Sequence, residues 1–188
     1  IGEVIRDRNA LFVQTAANFR KRFNIDVRVK SEVTGIDRER KTVTVHNHLT
    51  GETYKESYDK LVLSPGADPV RPPLPGIDLE GIFTLRNVPD TDRIKEYARQ
   101  HLGGHAVVVG AGFIGLEMAE NLHHLGLDVT IVEMSGQILA PVDKPIAAIV
   151  QQHIRTKGVD LRLHTSVTRF ERRNERLEVH LSTDELIS

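Results

Sequence analysis

The stretch VVVGAGFIGLEMAENLHHLGLDVTIVE, residues 107–133, decides the fold. It starts inside HAVVVG, a short β-branched run expected to be a buried strand, and turns on three glycines. Gly115, Met118, Ala119, Leu122 and Leu125 then recur on one helical face, and Gly126 stands where such a helix stops. DVTIVE is β-branched again. Strand, helix and strand within about 30 residues predict a βαβ unit, whose parallel strands cross over right-handed. A second unit extends the first: PIAAIVQQHIRTKG predicts a helix with Ile146, Ile149, Val150 and Ile154 inward, and VDLRLH predicts a third strand. From Thr168 to Thr183, RFER and RLEVHL alternate as in a hairpin turning near Asn174.

Gly110, Gly112 and Gly115 are spaced for a phosphate cradle. In such a loop the first glycine makes a tight turn, the second lets the backbone approach a pyrophosphate, and the third lets helix pack closely on strand. The phosphates rest on the unpaired N–H groups where Phe113 and Ile114 open the helix, helped by its partial positive charge. The glycines alone fit an ordinary turn equally well; the strand before them and the helix after them favour a dinucleotide. Glu133 ends the second strand, 23 positions after Gly110, near the spacing of about 20 at which a carboxylate reaches the adenosine ribose hydroxyls. The bland alternative is a solvated carboxylate at a strand end. A 2′-phosphate would meet Glu133 as like charge, and Met134 to Val142 contain no Arg or Lys. NADH is the expected coenzyme, with NADPH the disfavoured one. Glu117 is expected in the first turn of the helix, either stabilised there by the helix dipole or facing the nicotinamide end of the ligand.

Upstream, TAANFRKRF predicts a helix over Thr15–Phe23 that ends at Asn24, with Thr15 as cap and Phe19 and Phe23 on one face. IDVRVKSEV, then KTVTVHNHL and ETYKESY around Leu49-Thr50-Gly51, predict a strand and a β-hairpin. KLVLSPG, residues 60–66, has the character of a buried strand ending abruptly. Pro69, Pro72, Pro73 and Pro75 forbid helix, and residues 69–81 form the expected domain connection. Beyond it a helix is expected over Thr91–Gln100, capped by Asp90 or Thr91, with Ile94, Tyr97 and Ala98 at helical spacing.

Lys and Arg total 25 against 26 Asp and Glu, a net charge of −1 over 188 residues. No basic field exists to grip a nucleic acid, and Arg20–Lys21–Arg22 is too short a run to supply one. No apolar stretch approaches the run of about 18 residues that crosses a bilayer, so no membrane partner and a cytoplasmic location are expected. Cysteine is absent, which removes thiol nucleophiles, thiolate metal sites and disulfides from these residues. His46 and His48 share a strand face without a third metal ligand, and the neighbours His123 and His124 diverge by about 100° on a helix, so no metal is expected. Ser64 lacks the setting of a hydrolase nucleophile.

Taken with YDKLVLSPGADPVRPPLPGI before it, the glycine segment resembles the pyridine nucleotide-disulfide oxidoreductase family, in the single-cysteine branch of coenzyme A-disulfide reductases, NADH oxidases and NADH peroxidases. The resemblance covers nearly the whole chain. It implies an α/β fold: a Rossmann-like NAD(P)H-binding domain at 82–188, lacking its last strand, and a β-rich remnant of a FAD-binding domain at 1–68. By the same resemblance Gly110, Gly112 and Gly115 bind the NADH pyrophosphate, Glu133 the adenosine ribose, and Glu117 lies near nicotinamide and flavin. Val33, in KSEVTG, resembles the position whose backbone meets the FAD adenine. Ser64-Pro65-Gly66 replaces the Ala-Thr-Gly usual at another FAD contact, which is carried over to Ser64 and Gly66.

The family's first glycine motif, redox cysteine, closing FAD motif and dimerisation domain have no counterpart here, and the chain opens on Ile1 rather than Met. An internal piece of a longer enzyme is therefore expected, with the cysteine shortly upstream and a homodimer formed through a C-terminal domain. The resemblance implies a parent that passes hydride from NADH to FAD, then electrons through the cysteine to a small disulfide, persulfide, peroxide or oxygen. The isolated chain would be inactive. A non-catalytic NADH-binding or redox-sensing module is the alternative; an ordinary NAD-dependent dehydrogenase would need a substrate domain for which no residues remain.

Overall fold

A computed structural model describes Gly2 and residues 7–188. These residues fall into two compact units that part between Ala67 and Asp68.

The first unit opens with a short 3-10 helix, Arg8–Leu11, and the helix α1, Ala16–Phe23. Thr15 Oγ1 accepts the Asn18 N–H at 3.2 Å, Asn24 closes α1 in the left-handed conformation, and the Phe19 and Phe23 rings lie 5.9 Å apart, as the spacing predicts. Strands β1 (Ser31–Asp37), β2 (Thr42–Asn47) and β3 (Thr53–Ser57) form an antiparallel meander in that order. The strand expected from Ile25 starts only at Ser31, because Lys30 takes a φ of +55° and breaks the extended run. Among the described residues of this unit, Val43 and Val45 are the buried apolar ones.

Residues 60–66 form no strand, and Val62 and Leu63 are exposed. The expectation of a buried strand fails for a physical reason: an apolar strand is buried by neighbours on both sides, and no described strand pairs with this one.

The second unit carries the glycine segment. Helix α2, Val88–Gln100, begins a turn before the expected Thr91. Asn87 Oδ1 accepts the Asp90 N–H at 3.0 Å while Asp90 Oδ2 accepts the Asn87 N–H at 3.1 Å, a reciprocal capping box, and Pro89 sits in the first turn, where no N–H is needed. Asp90 is buried, and its hydrogen bond from Arg93, with those from Asn87 and Arg86, holds its carboxyl below the ordinary range against the opposing effect of burial. Asn87→Ala should cost about 1 kcal/mol, read as a lower denaturant midpoint. The stabilisation from Asp90 is complete above about pH 4 and is lost as pH falls through its depressed value, so Asp90→Asn should remove that part of the acid sensitivity.

Strands β4 (His105–Val109), β5 (Asp128–Val132) and β6 (Asp160–Arg162) form a parallel sheet in that order, with helix α3 (Phe113–His124) linking the first two and α4 (Lys144–Thr156) the last two. β5, the central strand, is buried from Val129 to Val132; β4, an edge, is only partly covered. Ala119 and Leu122 of α3 pack into the core with Val129, Ile131 and Leu161. α4 departs from expectation. Its buried contact is Ala147, flanked by the partly covered Val150 and Ile154, while Ile146 and Ile149 are 54% and 67% exposed. A methyl side chain permits the close approach of helix to core, and the larger isoleucines one position before it and two after are turned outward.

β7 (Val167–Arg173) and β8 (Arg176–Leu181) form the expected hairpin, with Asn174 and Glu175 both at positive φ in its turn. β9, Leu186–Ile187, pairs with β8. Leu74, Ile77, Leu79 and Ile82 pack against Phe170, Val179 and Leu181, so the later part of the proline-rich segment belongs to this core.

Candidate dinucleotide-binding site

The glycine loop joins β4 to α3. Gly110 takes a φ of +100°, and its N–H donates to Val132 O at 2.8 Å, which ties the turn to the end of the neighbouring strand. Gly115 faces backward onto that turn: a β-carbon there would lie 2.0 Å from the Gly110 carbonyl oxygen. Only glycine lets α3 come this close. At Gly112, by contrast, a β-carbon would meet nothing within 4 Å. Among the described residues nothing requires that glycine, and the space beside it is open to a ligand.

Gly112 is also the N-cap of α3, and no side chain caps the helix. Leu116 N–H is bonded to Gly112 O at 3.0 Å, so the N–H groups of Phe113 and Ile114 precede the intrahelical ladder and face outward with the positive end of the helix dipole. Both side chains are more than 60% exposed. This arrangement suits a phosphate.

Glu133 directly follows β5 and reaches back to the loop. Its Oε2 accepts the Ala111 N–H at 2.8 Å and its Oε1 accepts the Ser135 N–H at 2.7 Å. Burial pushes the carboxyl up, but these hydrogen bonds outweigh it and keep the group below the ordinary carboxylate range. The carboxylate is thus ionised at neutral pH, with acceptor capacity left for hydroxyl donors. The loop beyond it is pinned: Leu139 N–H donates to Ala111 O at 2.9 Å, and Ile138 is fully buried.

Gly110, Gly112, Phe113, Ile114, Gly115 and Glu133 are therefore gathered at the carboxyl end of one parallel sheet. Glu117 is exposed and stands in the second turn of α3, not the first, because the helix starts at Phe113; the dipole argument for it weakens accordingly. Val33, Ser64 and Gly66 belong to the other unit. Val33 lies half-exposed on edge strand β1, opposite Val45 and just before a bulge, and Ser64 and Gly66 lie in exposed extended chain with Gly66 at a φ of +75°. The Ala111 and Ser135 N–H donors were not legible beforehand, since every residue but proline carries one.

His46 and His48 do share a face, their rings 4.9 Å apart, but each has a polar partner: Thr53 Oγ1 at 3.0 Å and Glu32 Oε2 at 2.9 Å. Another grouping of ligand-type side chains, Glu171, Glu178 and His180, lies on the β7–β8 hairpin, where Glu171 also pairs with Arg169 at 2.9 Å. Among the described residues no helix is long and apolar enough to cross a membrane.

Comparison with known proteins places this geometry in context. Residues 3–188 match the family described as pyridine nucleotide-disulphide oxidoreductase. A coenzyme A disulfide reductase of Staphylococcus epidermidis is 39% identical over 168 residues, 89% of this chain and 38% of the relative. The crystal structure of reduced Bacillus anthracis CoADR-RHD aligns with a TM-score of 0.92 at 46% identity, covering 100% of this chain and 33% of that one. A NAD-dependent persulfide reductase from A. fulgidus aligns with a TM-score of 0.89 at 34% identity, covering 98% and 34%. The chain spans somewhat over a third of the length of the curated relatives it matches.

Proposed function

The chain belongs to the pyridine nucleotide-disulphide oxidoreductase family, and from that membership we propose that its glycine loop and Glu133 bind NADH for a FAD-dependent reductase. The observation that carries the reading is the Glu133 carboxylate, held 2.8 Å from the Ala111 N–H inside the glycine loop, beside an uncapped helix N-terminus. Pyrophosphate on the Phe113 and Ile114 N–H groups leaves the adenosine ribose next to Glu133. Glu117, further along the exposed face of α3, is the residue proposed to meet the nicotinamide end.

Residues 1–68 are proposed as part of a FAD-binding domain, 69–81 as the connection and 82–188 as the NADH-binding domain. The first unit suits such a part: much of its apolar surface, including Val62 and Leu63, is exposed, as expected of a sheet that finishes its core against further chain. Val33 on an edge strand offers main-chain groups, and Ser64 and Gly66 offer a polar, close-approach surface, for the flavin nucleotide. When bound, NADH and FAD supply the electron chemistry, a hydride passing from nicotinamide to flavin. The residues of this chain position those groups and fix coenzyme choice. With no cysteine among them, delivery to a small disulfide, persulfide, peroxide or oxygen is proposed to use a cysteine of the longer enzyme.

Calorimetric titration tests the binding half: NADH should bind at least tenfold tighter than NADPH, a margin of about 1.4 kcal/mol, and equal affinities would count against the role given to Glu133. The isolated 188-residue chain, supplied with FAD, should show no NADH-dependent disulfide reduction. Turnover by that chain would overturn the division of labour.

A further inference from the structure

Resting on the NADH reading, we infer that His164 is a coenzyme-binding residue, the wall against which the adenine packs. Glu133 closes β5 and His164 follows the adjacent β6, so both stand at the carboxyl ends of neighbouring parallel strands, where open α/β sheets receive their ligands. Three backbone bonds lace the two loops together: Glu133 N–H to Arg162 O at 2.8 Å, His164 N–H to Ser135 O at 3.1 Å, and Thr165 N–H to Glu133 O at 3.0 Å. Glu133 and His164 therefore stand in neighbouring loops joined along their backbones.

The ring itself lies over the loop that follows Glu133. A β-carbon at Gly136 would lie 2.6 Å from Cε1 and 2.9 Å from Nε2 of His164. The imidazole occupies the space that any side chain at 136 would need. His164 itself takes a φ of +53°, a conformation that residues with a side chain adopt seldom, and its side chain remains exposed. A planar ring on the loop bonded to that of Glu133 presents a stacking surface of the kind that nucleobases use regardless of their edge groups. The nearby cation is already committed: Arg162 pairs with Asp160 at 2.7 Å and Glu185 at 2.9 Å. The site thus offers a base-stacking surface and a hydroxyl acceptor rather than a phosphate clamp.

The test compares ADP-ribose with nicotinamide mononucleotide on the intact protein. His164→Asn keeps the left-handed backbone, which asparagine tolerates, and removes the ring face. It should weaken ADP-ribose and NADH by the same factor, about 5- to 10-fold, with nicotinamide mononucleotide affinity unchanged. His164→Phe should restore most of the loss. Gly136→Ala, which displaces the ring without altering it, should reproduce the selective loss of ADP-ribose. Unchanged ADP-ribose affinity in both His164→Asn and Gly136→Ala overturns the assignment while leaving the dinucleotide reading intact, and so does equal weakening of both ligand halves. Failure of the wild-type protein to bind either NADH or ADP-ribose overturns both.

Discussion

Serine in place of Gly112 should leave the protein as stable as before, or slightly more so, and should weaken NADH binding roughly 30- to 150-fold, equivalent to about 2–3 kcal/mol. The two effects separate because this glycine has no neighbour in the protein to accommodate. Serine is at least as good an N-cap as glycine, so α3 loses nothing. Its hydroxyl, however, would accept one of the same first-turn N–H groups that a pyrophosphate needs, and its β-carbon would fill the open space. Gly115→Val is the informative contrast. Its side chain would be driven into the Gly110 carbonyl, so stability should fall by at least about 1–3 kcal/mol together with NADH binding. Thermal melts and NADH titrations on both variants check the pair, and tight NADH binding by Gly112→Ser would remove the glycine loop from the site.

Glu133→Ala should lower NADH affinity by about 10- to 100-fold, the range for losing charge-assisted hydrogen bonds to the ribose, and should raise NADPH affinity by removing a like charge from the 2′-phosphate. Preference would collapse. Adding Met134→Arg, at an exposed position next to it, should carry the preference over to NADPH, since a guanidinium pairs bidentately with phosphate. The carboxyl is held below its ordinary range, so its contribution is complete above about pH 4.3 and is lost only as pH falls through the depressed value. Between about pH 6 and 8 the NADH preference should therefore be flat with respect to this group. A sigmoidal dependence in that window would point to another residue. Unchanged NADH affinity in Glu133→Ala would return this side chain to the role of a loop brace.

The βαβ core was legible because each of its signals is local. The glycine spacing, the β-branched runs before and after it, and the stop at Gly126 all appear where expected. Three features were not legible, two of them because distant chain decides them. The inward face of α4 is centred on Ala147 rather than on the bulkier Ile146 and Ile149; hydrophobic size favours the isoleucines, whereas close helix approach favours the methyl group. The apolar run Leu61–Leu63 has every mark of a buried strand and is exposed, because burial depends on partners that no window of sequence contains. The start of α2 lies a turn earlier than expected for a local reason: Asn87, not Asp90 or Thr91, is the cap, and Asp90 answers it from within the first turn. Of the residues proposed for the site, Glu133 is suggested by its spacing in the sequence, whereas His164 is not. Its place beside Gly136 follows from the pairing of β6 with β5, which brings together residues 28 positions apart.

The sheet that bears the glycine loop is bounded on one side by β4, the strand that leads into that loop. Among the described residues nothing pairs with its outer edge, and Val109, at its end, is 58% exposed. Within the described residues the strand that leads into the glycine loop is therefore steadied by β5 alone, and the bond from Gly110 N–H to Val132 O is the last rung of that one-sided support. The position of the loop is set by a single neighbouring strand.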